Sequence, residues 1–179
     1  MAGESRVLTV GHSTHSIEEF IDLLTAAGVT QVVDVRTLPG SRRFPHFNEE
    51  NLGPSLTEVG IDYMREEALG GLRKADRSIN PALNDFWENN SFHRYADYAQ
   101  SDEFRAGLDR LIGLLAPDPT PAIMCSEAVW WRCHRRIIAD FLLARNIPVF
   151  HLMPNGSTPE ATLTTGARVD GQRVTYPAD

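Results

Sequence analysis

Residues 6–35 read RVLTVGHSTHSIEEFIDLLTAAGVTQVVDV, and this stretch decides the fold class. Arg6 to Val10 and Gln31 to Val35 are short runs with the apolar, β-branched character of buried strands. Between them Ser16 precedes Glu19 at the capping-box spacing that opens a helix. Ile17, Phe20, Ile21 and Leu24 recur at the helical period, and Gly28 supplies a stop. The unit is strand–helix–strand, which predicts a right-handed crossover into a parallel pair.

The alternation continues outward. Leu52, Leu56 and Val59 share a helical face after Asn48, a cap candidate. Pro54 interrupts that helix, which either starts late with Pro54 in its first turn or kinks there. Ile61 to Met64 reads as a third strand. Residues 68–100 read as loop and short helices packed by Phe86, Trp87, Phe92, Tyr95 and Tyr98. Ser101 then caps a helix carrying Phe104, Leu108, Leu111 and Ile112. Ala122 to Cys125 is a fourth strand, a helix from about Cys133 follows, and Pro148 to Leu152 is a fifth strand. The expected fold is α/β: a compact, Rossmann-like, three-layer architecture with a mostly parallel sheet of about five strands flanked by helices. Residues 1–153 form its single domain, and 154–179 are a tail. Asp170-Gly171 between alternating residues marks a short hairpin in that tail.

Composition sets limits. A chain of 179 residues is long enough for one core, and 42% hydrophobic with 23% charged residues is globular rather than disordered. No apolar run approaches the roughly 20 residues of a membrane span. The start, MAGESRVLTV, lacks the order of a secretory signal. Two cysteines make no disulfide framework, so a reducing, cytoplasmic setting is expected. A net charge of -7 argues against indiscriminate binding to a nucleic-acid backbone and leaves room only for a local basic patch.

Open parallel sheets bind ligands beyond the carboxyl ends of their strands. Strand one delivers His12 and Ser13 there. Strand two delivers Asp34, Arg36, Ser41 and Arg42, and strand three Gly70, Gly71 and Arg73. Strand four delivers Cys125, Glu127 and then Cys133, His134 and Arg135. A thiol at a helix N-terminus among Arg132, His134 and Arg135 loses its proton readily, and the thiolate is the nucleophile. Cys133 fits that description better than Cys125, which also reads as a small buried hydrophobe. His12 follows a glycine that lets backbone approach a ligand, and its ordinary pKa suits acid/base work; Glu127 is the other acid/base candidate. Three arginines opening a helix oppose its dipole, a conflict that an anionic ligand relieves. The alternative is structural pairing with Asp34, Glu66 or Glu127. Asp34, inside an apolar strand, needs a partner of its own: Arg36, Arg42, a backbone amide, His12 or a ligand hydroxyl. Gly70-Gly71 with Arg73 lacks P-loop spacing. A phosphatase cradle is disfavoured, because Cys125 and Arg132 bracket six residues including two bulky tryptophans.

Taken as a set, Gly11-His12-Ser13, Asp34-Val35-Arg36, Pro39-x-Ser41-Arg42, Leu69-Gly70-Gly71, Cys125-x-Glu127 and Cys133-His134-Arg135 resemble the signature of the domain of unknown function 488 family. The resemblance covers roughly residues 6–153. It implies a compact α/β fold and brings no settled activity. The tail after Met153 and the Trp130-Trp131 pair fall outside it.

Three functions compete. The leading one is a small cytoplasmic enzyme, a cysteine- or metal-dependent hydrolase or transferase, acting on an anionic substrate such as a nucleotide or phosphate ester. Cys133, His12, Glu127 and Cys125 are its catalytic candidates. Ser13, Asp34, Arg36, Ser41, Arg42, Gly70, Gly71, Arg73, His134 and Arg135 are its binding candidates, with Arg36, Arg42 and Arg135 as the anion clamp. The second is a nucleic-acid-binding module using Arg42-Arg43-Phe44, Arg73-Lys74, Arg77 and Trp130-Trp131. The third is a metal- or haem-binding protein with Cys125, Cys133, His134 and His12 as ligands, although their spacing matches no standard pattern. The two thiols could also pair reversibly, though eight residues apart is no redox signature. No cofactor is specified.

Overall fold

Strands β1 (Val7–Gly11), β2 (Gln31–Asp34), β3 (Asp62–Arg65), β4 (Pro121–Cys125) and β5 (Val149–Leu152) form one all-parallel sheet in the order β3-β2-β4-β1-β5. The computed structural model describes residues 5–37, 40, 42–115 and 120–178. Of the three inner strands, β1 and β4 are buried at every residue and β2 at all but Gln31, as covered parallel strands must be. Gly11 lies opposite Cys125, and Asp34 opposite Met124.

One expectation is corrected by this order. β1 and β2 are parallel but do not pair, because β4 lies between them. A strand–helix–strand signal specifies parallelism, while adjacency follows only about two-thirds of the time. The centre goes to β4, whose five residues can be covered on both faces.

Helices α1 (Ile17–Ala26), α2 (Glu49–Glu58), α3 (Asn90–Tyr98), α4 (Asp102–Ile112) and α5 (Arg135–Leu143) cover the sheet. Phe20, Leu24, Leu52 and Leu56 of α1 and α2 pack with Leu8, Val10, Val32 and Met124 on one face. Tyr95, Phe104, Leu108, Ile137 and Phe141 of α3, α4 and α5 pack with Val7, Val33 and Ile123 on the other. Alternate strand residues thus feed two cores, giving three layers.

Local signals explain the ends. Ser16 and Glu19 make both bonds of the capping box. α2 starts directly after Asn48 and runs through Pro54, whose position on the exposed face lets the carbonyl it leaves unbonded meet water. Asn146, with φ 63°, turns the chain out of the α5 segment.

β6 (Arg168–Asp170) and β7 (Arg173–Thr175) form an antiparallel hairpin turning at Gly171. The segment from residue 154 is built into the domain. The His151 amide donates to the Pro159 carbonyl, and Ala161, Val174 and Tyr176 join the core under α3–α5. The Tyr176 hydroxyl and the Thr164 amide donate to the two oxygens of Asp140, at 2.7 and 2.9 Å, and brace α5. No helix among the described residues is long and apolar enough to cross a membrane.

Candidate functional site

The β1–β4 pairing continues past the sheet. His12 N–H donates to Cys125 O at 2.9 Å, and Ser13 N–H to Ser126 O at 3.0 Å. Gly11 is required there, since a Cβ would overlap the Glu127 carbonyl. Ser13 then turns the chain in the left-handed region, φ 49°, a strained conformation of the kind that gathers at functional rims. Beyond these ends opens a cavity of about 720 Å³, walled by His12, Ser13, Arg36, Thr37, Cys125, Ser126, Glu127, Arg132, Cys133 and His134, with Gly71, Leu72, Asn89, Ser91 and Phe92 opposite.

A 3-10 turn at Trp130–Arg132 folds the loop after β4 back on itself, and the Cys125 and Cys133 sulfurs come to 2.9 Å. The Cys133 sulfur is 3.4 Å from His134 Nδ1 and 3.5 Å from the Arg135 N–H at the N-terminus of α5. His134 Nε2 donates to Val35 O at 3.1 Å, so Nδ1 is the nitrogen that faces sulfur. The ring lies over Gly71, where a Cβ would come within 2.6 Å of Nδ1. Burial alone would raise the Cys133 thiol; the Cys125 thiol, His134 and Arg135 reverse that and hold it well below the ordinary range. Cys125 is pushed well above that range by burial and by the neighbouring Cys133. The two sulfurs are in contact, and their surroundings shift the two thiols in opposite directions.

Arg135 is the cation beside this pair of thiols. It is 1% exposed, donating from Nη1 to Thr9 Oγ1 at 3.1 Å and from Nη2 to Glu127 O at 2.6 Å. Its Nε has no partner, and among the described residues no carboxylate pairs with it. A guanidinium stays charged at any working pH, and burying it uncompensated costs several kcal/mol. Of the two thiols beside it, Cys133, whose sulfur accepts from the Arg135 backbone N–H, is the one held below its ordinary range.

On the β2 side, Asp34 is fully buried and holds Arg36 through Nε at 2.9 Å and Nη2 at 2.8 Å. The Tyr63 hydroxyl donates to the same carboxylate at 2.5 Å. Arg36 Nη1 points at His12 Nε2, 3.4 Å away, while His12 Nδ1 donates to Ser13 O at 2.9 Å and the ring stacks on Phe47. Burial, aided by Arg36, lowers the His12 pKa to about 4. His12 is therefore neutral at pH 7, not the near-neutral titrating group its ordinary pKa suggests.

A family model described as "Domain of unknown function DUF488" matches residues 16–142, more than two thirds of the chain. The chain belongs to this family. No curated protein and no solved structure matches it. The DUF488 match takes in Arg36, Cys125, Cys133 and His134 and begins after His12 and Ser13.

Other predicted site residues of this DUF488 chain are placed differently. The three arginines of the expected clamp do not converge: Arg36 walls the cavity, Arg42 is exposed outside its lining, and Arg135 is locked in the core. Arg73 lies 3.7 Å over the Tyr98 ring and donates to the Gly70 and Glu67 carbonyls, so Arg73 and Gly70 secure the loop behind the cavity. Glu127 presents its side chain at the exposed rim while its carbonyl holds Arg135. Glu66 pairs with Arg110 rather than with the α5 arginines, and Arg136 packs over Trp87. Trp130 stacks on His151 at 4.3 Å, leaving Trp131 exposed. Ser41 lies outside the described residues. Among the described residues no three His, Cys, Asp or Glu side chains stand together as a metal-ligand set. Thr9 and Tyr63 hold Arg135 and Asp34 and escaped the sequence reading. The one polar residue of the VLTVG strand was a readable cue; Tyr63, ordinary in a strand, was not.

Proposed function

We propose that this DUF488 protein is a small enzyme that binds an anionic small molecule of the phosphate-ester or nucleotide kind in the 720 Å³ cavity and attacks it with the Cys133 thiolate. The observation that carries the reading is Arg135, a buried cation with no carboxylate partner among the described residues, whose backbone N–H touches the Cys133 sulfur. Arg36, oriented by Asp34, and Arg132 supply positive charge on the cavity wall, and the start of α5 adds its partial charge. With Cys133 already a thiolate, His134 Nδ1, facing the sulfur, relays a proton from solvent to the leaving group. Release of the adduct to water or a second acceptor restores the thiolate. A reducing cytoplasm suits the two free thiols.

The test pairs alkylation with binding. Iodoacetamide should label Cys133 at pH 6, where an ordinary thiol is almost wholly protonated. Phosphate esters and nucleotides, screened by thermal shift, should include a binder that Arg36→Met weakens by about 10- to 100-fold, the value of a charge-assisted contact. Failure to label Cys133 at pH 6, or binding indifferent to Arg36→Met, refutes the reading.

A further inference from the structure

The contact between the two sulfurs supports more than a single nucleophile. We propose that Cys125 and Cys133 form a dithiol–disulfide couple that reduces small, acidic disulfides entering the cavity, with Cys133 attacking and Cys125 resolving. The inference rests on the same reactive Cys133 and not on the phosphate-ester substrate.

The sulfurs lie 2.9 Å apart, against about 2.05 Å for a disulfide bond, so bridging requires a shift of less than an ångström. Cys125 is held rigidly at the end of β4, its strand paired with Gly11. Cys133 stands between a 3-10 turn and α5, in extended backbone, where such a shift is absorbed by loop. Both cysteines line the cavity, as do Arg36 and Arg132, which favours a disulfide bearing carboxylates. The roles differ by surroundings. Cys133 has His134 Nδ1 and the Arg135 amide beside it. Among the described residues the Cys125 sulfur contacts Cys133 and the Glu127 carbonyl, with no imidazole or helix N–H on it, which suits it to wait for the bond it resolves.

The steps balance. The Cys133 thiolate attacks one sulfur of the disulfide RSSR, forming a Cys133–S–S–R bond as RS⁻ leaves and takes a proton. Cys125 then loses its proton to solvent and attacks the Cys133 sulfur. The Cys125–Cys133 bond forms and the second thiol departs. Two electrons pass from the protein to RSSR, and an external thiol returns them.

The experiment exposes the reduced wild-type protein and Cys125→Ser to oxidised glutathione at pH 7 and reads intact mass and released thiol. Wild type should lose two hydrogen atoms in mass, carry no lasting glutathione, and release two glutathione thiols per chain. Cys125→Ser should stop at one glutathione on Cys133, with one thiol released. Wild type blocked beforehand at Cys133 with iodoacetamide should release none. Persistent glutathionylation of wild type overturns the resolving role, whatever the alkylation result. A Cys133 inert to both reagents overturns this inference and the nucleophile reading together, whereas alkylation at pH 6 with persistent glutathionylation overturns this inference alone.

Discussion

Cys133→Ser and Cys125→Ser should differ sharply in stability, although the two cysteines are 7% and 4% exposed and lose the same atom. Exchanging a buried thiol for a hydroxyl costs each variant about 1–2 kcal/mol. If the Cys133 thiolate balances Arg135, only Cys133→Ser also removes that counter-charge and leaves the guanidinium with Thr9 and a backbone carbonyl. Leaving a buried charge uncompensated costs about 3–5 kcal/mol when nothing relaxes. Allowing the guanidinium to keep its two neutral acceptors, the expected difference between variants is about 3 kcal/mol. For a chain of this size that is roughly 6–12 °C in Tm. The pH dependence follows from the direction of the shift. A thiol lowered in the folded state contributes stability that is fully present above the ordinary thiol pKa of about 8.5 and is lost as pH falls through the folded value. Wild type and Cys133→Ser should therefore diverge at pH 8.5 and converge in acid, while Cys125→Ser runs parallel to wild type below pH 8.5. Urea denaturation under reducing conditions across pH 5–9 measures all three. Equal losses at pH 8.5, or a gap unchanged in acid, would mean that Cys133 is protonated and that Arg135 is balanced in another way.

Three further outcomes follow from the geometry. Gly71→Ala should push the His134 ring, since a Cβ at 2.6 Å from Nδ1 is far inside ordinary contact and Val35 O holds the other side; about 1–3 kcal/mol of overpacking and slower Cys133 alkylation at pH 6 are expected, and an unchanged alkylation rate would sever Gly71 from the site. His12 and His151 both have their pKa lowered to about 4, chiefly by burial, so stability fully present above pH 6.5 should fall as pH drops toward 4, by on the order of 2–3 kcal/mol per ring; replacing His151 with Gln should halve that slope in acid denaturation. Tyr176→Phe leaves a buried oxygen of Asp140 without its donor and should cost about 1–3 kcal/mol, with faster proteolysis of the segment after residue 154; an unchanged Tm would show that the tail does not brace α5.

The elements were legible because each is written in local chemistry. Ser16 and Glu19 announce the start of α1, Ser101 that of α4, and the glycine after Asp170 marks the hairpin. Strand order was not legible, since nothing local to β1 or β2 reveals that a strand over 80 residues later will part them. The site was legible as a rim and illegible as a geometry. Position beyond the strand ends picked out His12, Arg36, Cys125, Cys133 and His134, all of which line one cavity. Composition could not say which arginines turn inward. Arg135 and Arg136 are neighbours in sequence, yet the helical period points one into the core beside Thr9 and the other onto Trp87. Nor did a separation of eight residues reveal a sulfur contact, because the fold-back depends on the Trp130–Arg132 turn and on Trp130 stacking against His151.

The unread strand order is also what assembles the site. Had β1 paired directly with β2, Cys125 would have lain to one side of His12 and Arg36, whose side chains meet at 3.4 Å across the strand ends. With β4 inserted, Cys125 emerges between them, flanked by the His12 segment through two backbone bonds and by Val35 through the bond from its amide to Met124 O. The helix that follows β4 must then start over the middle of the sheet, which puts the N-terminus of α5 and the Arg135 guanidinium beneath the same opening. A thiol delivered there meets a helix end, a fixed imidazole and a buried cation at once. Moving Cys133 one turn further along α5 would lose all three, so position over the central strand, more than the identity of the residue, lowers the pKa of this thiol.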